Sequence, residues 1–136
     1  FCLIIMSHNR QGFLVVEYPG SHDKYEGEWV LGRKEGKGRY TSNTGDIYEG
    51  EFREGKRNGV GMYRYSNGDT YEGQWMKGQK HGEGSMSFIN GAKYEGGYKE
   101  DKKHNLGAYT HADGSVYTGE YKKGKPSGRG IYTFPT

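Results

Sequence analysis

Closely spaced carboxylates are the residues of this sequence that most readily suggest chemistry. Glu26 and Glu28, and again Glu49 and Glu51, are separated by one residue, and glycosidases place a pair of acids on either side of a sugar bond. Side chains two residues apart on a strand point to the same face, whereas an enzyme needs one asymmetric site. We therefore interpret these acids as a solvated strand face and predict no catalytic residues and no enzymatic activity.

Two further patterns resemble ligand sites but fail in their details. The segment from Gly119 to Pro126 approaches a phosphate-binding P-loop, but a proline occupies the position of the Mg²⁺-binding Ser or Thr and no helix pattern follows. One turn position of a repeated unit holds Glu35, Asn58, His81, His104 and Ser127. Such variety is typical of an exposed turn, so the sequence predicts no nucleotide, cofactor or metal site.

Composition limits the class of protein. The 136 residues are poor in aliphatic side chains, but 15% are aromatic, and rings can cover a half-exposed sheet face. The formal net charge of +3 is far from the clustered basic surface of a nucleic-acid binder, so we expect no nucleic-acid partner. The single cysteine, Cys2, excludes an internal disulfide, and the apolar run from Phe1 to Met6 is too short to span a membrane.

A 23-residue repeat organises the chain. Position 1 of the five units holds Tyr25, Tyr48, Tyr71, Tyr94 and Tyr117. Positions 3 and 14 are always glycine, and positions 5, 16 and 18 are mostly aromatic. We expect units at 25–47, 48–70, 71–93, 94–116 and 117–136, a degenerate half-repeat at 12–24 and an N-terminal tail at 1–11. The last unit stops short, which suggests a piece of a longer array.

Each unit predicts one β-hairpin. Residues 25–29 alternate rings with acids at the period of a strand, and residues 61–65 repeat the alternation. We expect a turn at 55–59 between these strands and a second turn at 66–69, whose Asn-Gly pair favours hairpins. A lone hairpin is not stable, so the units are expected to stack into an all-β, elongated, open-ended single-layer antiparallel meander.

Glycine at positions 3 and 14 leaves room for a ring from the adjacent strand to lie over the backbone. The fourth unit replaces two turn glycines by Asp101 and Asn105, and has Gly97 where other units have mainly Glu or Gln. Asp and Asn best tolerate left-handed backbone, so we expect this turn to persist. In the half-repeat, Val16 and Tyr18 fall in the ring positions.

The unit Tyr-Glu-Gly-x-Trp/Phe-x-x-Gly-Lys-x-x-Gly-x-Gly-x-Tyr resembles the MORN (membrane occupation and recognition nexus) repeat over residues 25–136. The resemblance implies stacked hairpins in a curved single sheet, as in junctional-membrane proteins, lipid kinases, and cytoskeletal and ciliary scaffolds. No enzymatic module is visible, so the chain is most similar to the repeat-only scaffolds. This implies a cytoplasmic, cytoskeleton-associated location, with the ciliary axoneme as one candidate.

A single sheet leaves its ring-bearing face open, and Tyr and Trp are favoured at binding hot spots. We therefore expect a protein-interaction scaffold that holds an apolar helix or strand of a partner in an aromatic groove, and we expect Trp75→Ala to abolish capture while the fold persists. The expected contact residues are Trp29, Phe52, Tyr63, Tyr65, Trp75, Phe88, Tyr98, Tyr109, Tyr121 and Phe134. The competing hypothesis is that these rings mainly pack on one another.

Basic residues of the turns predict a second surface, because identical turns stack along one edge. This basic edge consists of Arg33, Lys34, Lys56, Arg57, Lys80, Lys102, Lys103 and Lys125. It gives the alternative function, a peripheral module that binds anionic lipid or phosphoinositide, although the low net charge and intervening glutamates disfavour it. Open terminal strands also allow self-association.

Overall fold

The fold is a single antiparallel β-sheet, given by a computed structural model that describes residues 3–5 and 11–135, with side chains from residue 12 onward. The strands are β1 (Leu3–Ile5), β2 (Gln11–Glu17), β3 (Lys24–Val30), β4 (Arg33–Thr41), β5 (Ile47–Arg53), β6 (Lys56–Arg64), β7 (Thr70–Met76), β8 (Gln79–Ser87), β9 (Lys93–Lys99), β10 (Lys102–Thr110), β11 (Val116–Lys122) and β12 (Lys125–Thr133). Their order in the sheet is their order in the chain. The predicted all-β meander is confirmed. The predictions on Cys2 and Met6 lie outside the described residues.

The repeated tyrosines align across the sheet. Tyr25 pairs with Tyr40, which pairs in turn with Tyr48. The same row continues through Tyr63, Tyr71, Met86, Tyr94, Tyr109, Tyr117 and Tyr132. A row of paired glycines runs beside it. Constant spacing produces this register because a one-residue slip would move every ring to the opposite face.

The turn inside each unit is shorter than the predicted turn at 55–59. β5 ends at Arg53 and β6 begins at Lys56, so only Glu54 and Gly55 lie between them. Both have positive φ, 52° and 81°, as in a type I′ turn, whose twist matches that of the flanking strands. Residues 56–58 are therefore strand residues, and their side chains alternate between the two faces.

A bulge follows this turn. Opposite Glu51, β6 has three residues where a regular ladder has one. The Glu51 carboxylate accepts the N–H of Val60 at 2.7 Å and so replaces the missing strand partner. Gly59, within the bulge, has a φ of 100°, and a Cβ there would lie 2.8 Å from a carboxylate oxygen of Glu51. The bulge thus requires glycine where an acid folds across it.

The fourth unit changes both partners of this bulge together. Gly97 takes the place of the acid, and Asn105 takes the place of the bulge glycine. Asn105 and Asp101 have φ values of 62° and 69°, so the predicted left-handed backbone at both positions is confirmed. With no side chain at Gly97 to fold across the bulge, Asn105 has room for its own.

Residues before the first unit extend the sheet. Val16 pairs with Tyr25 and is fully buried, and the Tyr18 ring lies 6.1 Å from the Tyr40 ring. The segment 1–11, which the sequence predicts to be a tail, contains β1, which pairs with β2.

Candidate binding face

The position-1 tyrosines form the deepest layer of the ring-bearing face. Those at most 2% exposed are Tyr25, Tyr48, Tyr71 and Tyr94. Each ring lies against glycine backbone; a Cβ on Gly61 would lie 2.2 to 2.5 Å from Tyr48 atoms. The Tyr48 hydroxyl donates to the carbonyl of Glu51 at 2.8 Å. The predicted role of the glycines, to make room for rings, is confirmed.

The position-5 rings interlock with these tyrosines. Trp75 contacts Tyr48 at 5.4 Å and Tyr71 at 5.1 Å between ring centroids, with interplanar angles of 88° and 83°. Its indole N–H donates to the carbonyl of Gly61 at 3.1 Å. The same edge-to-face contacts recur along the array through Phe52, Tyr98 and Tyr121. We call these position-1 and position-5 rings the ring ladder. Because Phe52, Trp75, Tyr98 and Tyr121 each contact tyrosines of two units, the ladder couples neighbouring repeats at about 0.5–1.5 kcal/mol per ring pair.

Burial divides the ten rings that the sequence predicts to contact a partner. Those only 5–6% exposed are Phe52, Trp75, Tyr98 and Tyr121, and these belong to the core rather than to an open groove. The glycine row allows the rings to sink against the backbone, where they cover one another. Trp29, Tyr63, Tyr65, Phe88 and Tyr109 are half-buried, and Phe134 is 73% exposed. A role in partner contact stays a prediction for this accessible group.

A row of cations lies over the rings. This cation row consists of Lys34, Arg57, Lys80 and Lys103. The Arg57 guanidinium carbon lies 4.7 Å from the centre of the Trp75 ring and 5.2 Å from that of Tyr63. The Lys103 ammonium nitrogen lies 5.0 Å from the centre of the Tyr109 ring. Cation–π contacts of this kind contribute about 0.5–2 kcal/mol each.

The position of the cation row corrects the predicted basic edge. Because the turn has only two residues, Arg57 is a strand residue that pairs directly with Phe52 and shares its face. Arg33, Lys56, Lys102 and Lys125 do remain exposed beside the turns. Residue type does not distinguish the two columns: positions 9 and 10 are each basic in four of the five units, with Gln79 and Pro126 as the exceptions.

Aspartates at the second turn connect one unit to the next, a feature that the sequence reasoning missed. The Asp46 carboxylate accepts the Tyr63 hydroxyl at 2.7 Å and the N–H of Ser66 at 2.8 Å. Asp23 makes the equivalent bonds to Tyr40 and Asn43, which hold the pKa of the Asp23 carboxyl below its usual value. The available signal was an aspartate 17 residues before a tyrosine in successive units.

These bonds also shape the chemistry of the face. Burial, together with the Asp46 carboxylate, raises the pKa of Tyr63 to about 12. In later units Ala92 and Ser115 replace the aspartate, and Met86 replaces one tyrosine. The face is therefore more polar in its N-terminal half than around the fourth unit.

The partly exposed residues of this face lie in rows that run across the strands, and we call the surface that they form with the cation row the trough. Its floor is the position-16 row, Tyr40, Tyr63, Met86, Tyr109 and Tyr132, of which Met86 is buried. The cation row forms one wall, and the position-18 residues, which we call the rim row, form the other: Tyr18, Ser42, Tyr65, Phe88, His111 and Phe134. A cavity of about 280 Å³ between Lys34 and Arg57 is lined by Tyr40, Tyr63 and Phe52. The trough offers rings and positive charge to a ligand.

Other kinds of site find no support in the described segments. Residues 3–5 and 11–135 hold no group of three or more His, Cys, Asp or Glu side chains that could bind a metal ion. The same residues contain no helix long and apolar enough to cross a membrane.

Fold and trough together define a tandem β-hairpin repeat protein with an accessible aromatic and basic face. The family model described as the MORN repeat matches residues 25–47, 48–70, 71–93, 94–116 and 117–136. The chain therefore belongs to the MORN repeat family. No curated protein matches it.

A solved structure shares this fold at low sequence identity. It is the SAS-4 (dCPAP) TCP domain of Drosophila melanogaster in complex with a proline-rich motif of Ana2 (dSTIL), with a TM-score of 0.58 and 14% identity. The match covers 88% of this chain and 64% of that chain. At this identity the similarity shows the fold alone.

Proposed function

We propose that this chain is a non-enzymatic scaffold that holds a segment of a partner protein along the trough. The observation that carries the proposal is the separation of two ring layers. The ring ladder is buried except at its two ends, Trp29 and Tyr117, whereas most of the floor and rim residues lie half-exposed beside the cation row, with the buried Met86 as an exception. Aromatic rings flanked by positive charge are typical of protein hot spots.

The SAS-4 TCP domain gives limited support. That domain carries a proline-rich peptide in its solved structure, which is compatible with peptide binding by a sheet of this shape. This chain spans 64% of that chain's length, so neither the partner nor the residues that bind it are transferred.

The test compares two matched double variants in affinity capture from cell extract, followed by quantitative mass spectrometry. Tyr65→Ala/Phe88→Ala removes two rings of the rim row. Glu72→Ala/Thr118→Ala removes two exposed side chains of the opposite face. We expect the trough variant to lose about tenfold or more of the specifically captured partner and the opposite-face variant to retain it. Equal retention by both variants would contradict the proposal; circular dichroism verifies that both are folded.

Membrane attachment is the alternative function expected from the basic residues of the turns, and the structure leaves fewer of these residues exposed at the edge. Half of the predicted edge lies over rings, and exposed Glu54 and Glu100 lie among the basic residues that remain. Liposome co-sedimentation at low and physiological salt tests this alternative, with charge reversal of Lys56 and Lys102. Binding that is lost on reversal would support a lipid role.

Location and self-association are further parts of the proposal. We place the scaffold in a cytoskeletal assembly of the cytoplasm, with the cilium as one candidate, on the basis of its similarity to repeat-only scaffolds. Recovery of the tagged chain in the detergent-insoluble cytoskeletal fraction is expected, and a wholly detergent-soluble chain would oppose it. Pairing through open edge strands such as β12 predicts a mass that grows with concentration in light scattering.

A further inference from the structure

The trough advances by a fixed distance in each unit. Every unit adds two strands to the sheet, and strands lie about 4.8 Å apart, so equivalent positions recur about every 9.6 Å. Tyr40 and Tyr63 on the floor are one such step apart, as are Lys80 and Lys103 in the cation row. A bound segment that uses equivalent contacts in each unit must therefore have a period near this distance.

Only one regular backbone conformation meets this condition. In an extended strand about three residues cover the distance, but side chains alternate between faces, so every second contact would point away. An α-helix would need about 6.4 residues, which is not a whole number of turns, so its contacts would drift around the helix. A polyproline II helix advances about 9.3 Å in three residues and returns the same face. A polyproline II helix therefore matches the spacing of the units better than the α-helix or the strand expected from the sequence.

Ring chemistry in the trough suits the same conformation. Prolines of polyproline II segments dock in grooves lined by aromatic side chains. Tyr40 and Tyr63 line the cavity of about 280 Å³, and Phe52 also contributes to its lining. The floor is aromatic at most steps, with Met86 as the exception.

Charge determines what the segment presents to the cation row. Within residues 3–5 and 11–135, Arg57, Lys80 and Lys103 form no ion pair with a carboxylate. Burial, with the nearby charge of Lys80, lowers the pKa of Lys103, as expected for a half-buried cation that no carboxylate pairs with. Asp46, among the acids nearest the floor, is already occupied by the Tyr63 hydroxyl. A ligand that carries one anion per unit could pair with Arg57, Lys80 and Lys103 in turn.

We propose that the trough binds an acidic polyproline II segment of a partner protein, with three residues for each repeat: prolines on the tyrosine floor and one carboxylate in every third position facing the cation row. This inference rests on the proposed function, because it names the chemistry of the segment that the scaffold holds.

The test is a fluorescence anisotropy titration of the full chain with labelled peptides. The probe contains four Pro-Pro-Glu triplets, one for each residue of the cation row, because Pro126 takes the place of the cation in the fifth unit. A register control has the same composition with its glutamates two residues apart, and a charge control contains Pro-Pro-Lys triplets. We expect the probe to bind at least about tenfold more tightly than either control, with an affinity that falls as salt rises.

Matched variants locate the contact on the protein. Lys80→Glu/Lys103→Glu is expected to weaken the probe at least about tenfold, and Lys56→Glu/Lys102→Glu, which changes the same charge on the turn edge, at most about threefold. If charge reversal unfolds the chain, Lys80→Met/Lys103→Met replaces it, because Met keeps an apolar stem over the rings. This variant removes the two charges without inverting them, so we expect it to weaken probe binding less than reversal would.

Two sets of results separate this inference from the proposed function. Equal binding of the probe and the register control, no binding of any peptide, or equal losses in the two charge variants would each overturn the polyproline inference. The scaffold proposal would survive those results if Tyr65→Ala/Phe88→Ala still lost the captured partner. Retention of that partner by the trough variant would instead refute the scaffold proposal itself.

Discussion

Trp75→Ala tests whether the ring ladder holds the sheet together. Trp75 is only 5% exposed and lies in β7, near the middle of the array. Its ring contacts Tyr48 and Tyr71 edge-to-face, and the Arg57 guanidinium lies over it. Removing the indole therefore leaves two tyrosines without their shared neighbour and the cation without its nearest ring. The sequence-based expectation that this variant loses only partner capture needs revision for that reason.

The free energy of unfolding should fall by about 4 kcal/mol. Truncation of a buried Trp or Phe to Ala costs about 3–5 kcal/mol in transfer and cavity terms. The indole N–H bond to the Gly61 carbonyl adds about 0.5–1.5 kcal/mol, part of which is already within that range. Stability in repeat arrays is a sum of unit and interface contributions, so the loss is expected to appear at the interface between the second and third units.

Urea unfolding followed by circular dichroism measures the loss, and hydrogen exchange with mass spectrometry locates it. Exchange should accelerate most in β5 to β8. Met76→Ala is the matched control, because Met76 is the next residue, points to the opposite face and is 48% exposed; its effect should stay within about 0.5 kcal/mol. A Trp75→Ala loss below about 1 kcal/mol, or one equal to the control, would show that the ladder is not the stabilising core.

Three further predictions concern the packing and its bonds. Gly61→Ala places a methyl group against the Tyr48 ring and should cost about 1–3 kcal/mol in urea unfolding; an effect no larger than that of Gly20→Ala, where a Cβ meets nothing within 4 Å, would contradict the close packing. Asp46→Ala should cost about 1–3 kcal/mol, and in a double-mutant cycle with Tyr63→Phe the two losses should not add; full additivity would deny the bond. Folding raises the pKa of Tyr63 from 10.0 to about 12, so the stability that its neutral form contributes is complete below about pH 10 and is lost as pH rises through the folded value. The measurement is the difference in tyrosinate absorbance between the chain and its Tyr63→Phe variant, and a difference that appears near pH 10 with unchanged circular dichroism would oppose this.

The strands and their register could be predicted from the sequence because two simple periodicities coincide. Rings alternate with polar residues at the period of a strand, and the position-1 tyrosines recur at a constant interval. Tyr25 and Tyr48 must therefore pair with the same residue of the strand between them, which is Tyr40. The Asn-Gly pair at 67–68 marks one turn without ambiguity. These features depend only on local backbone preference and constant loop length.

The turn and the depth of the rings could not be predicted in the same way. Gly55 and Gly59 look like the two ends of one turn, because nothing in the residue type of Glu54 reveals its positive φ. A turn of five residues would place Arg57 on an exposed edge, whereas the two-residue turn places it on the ring face. Likewise, a glycine opposite a tyrosine allows the ring either to lie against the backbone or to project into solvent. Only packing against a neighbouring ring such as Trp75 decides between the two.

The bonds between units join each unit only to its neighbours. The Arg57 carbonyl accepts the N–H of Gly78 in the next turn at 2.9 Å, and Asp46 reaches forward to Tyr63. An inserted copy of one unit would therefore meet the same donors and acceptors on both sides. In-frame duplication of the corresponding coding segment could lengthen such a protein without redesign of its interior, and length would become an evolutionary variable independent of stability per unit.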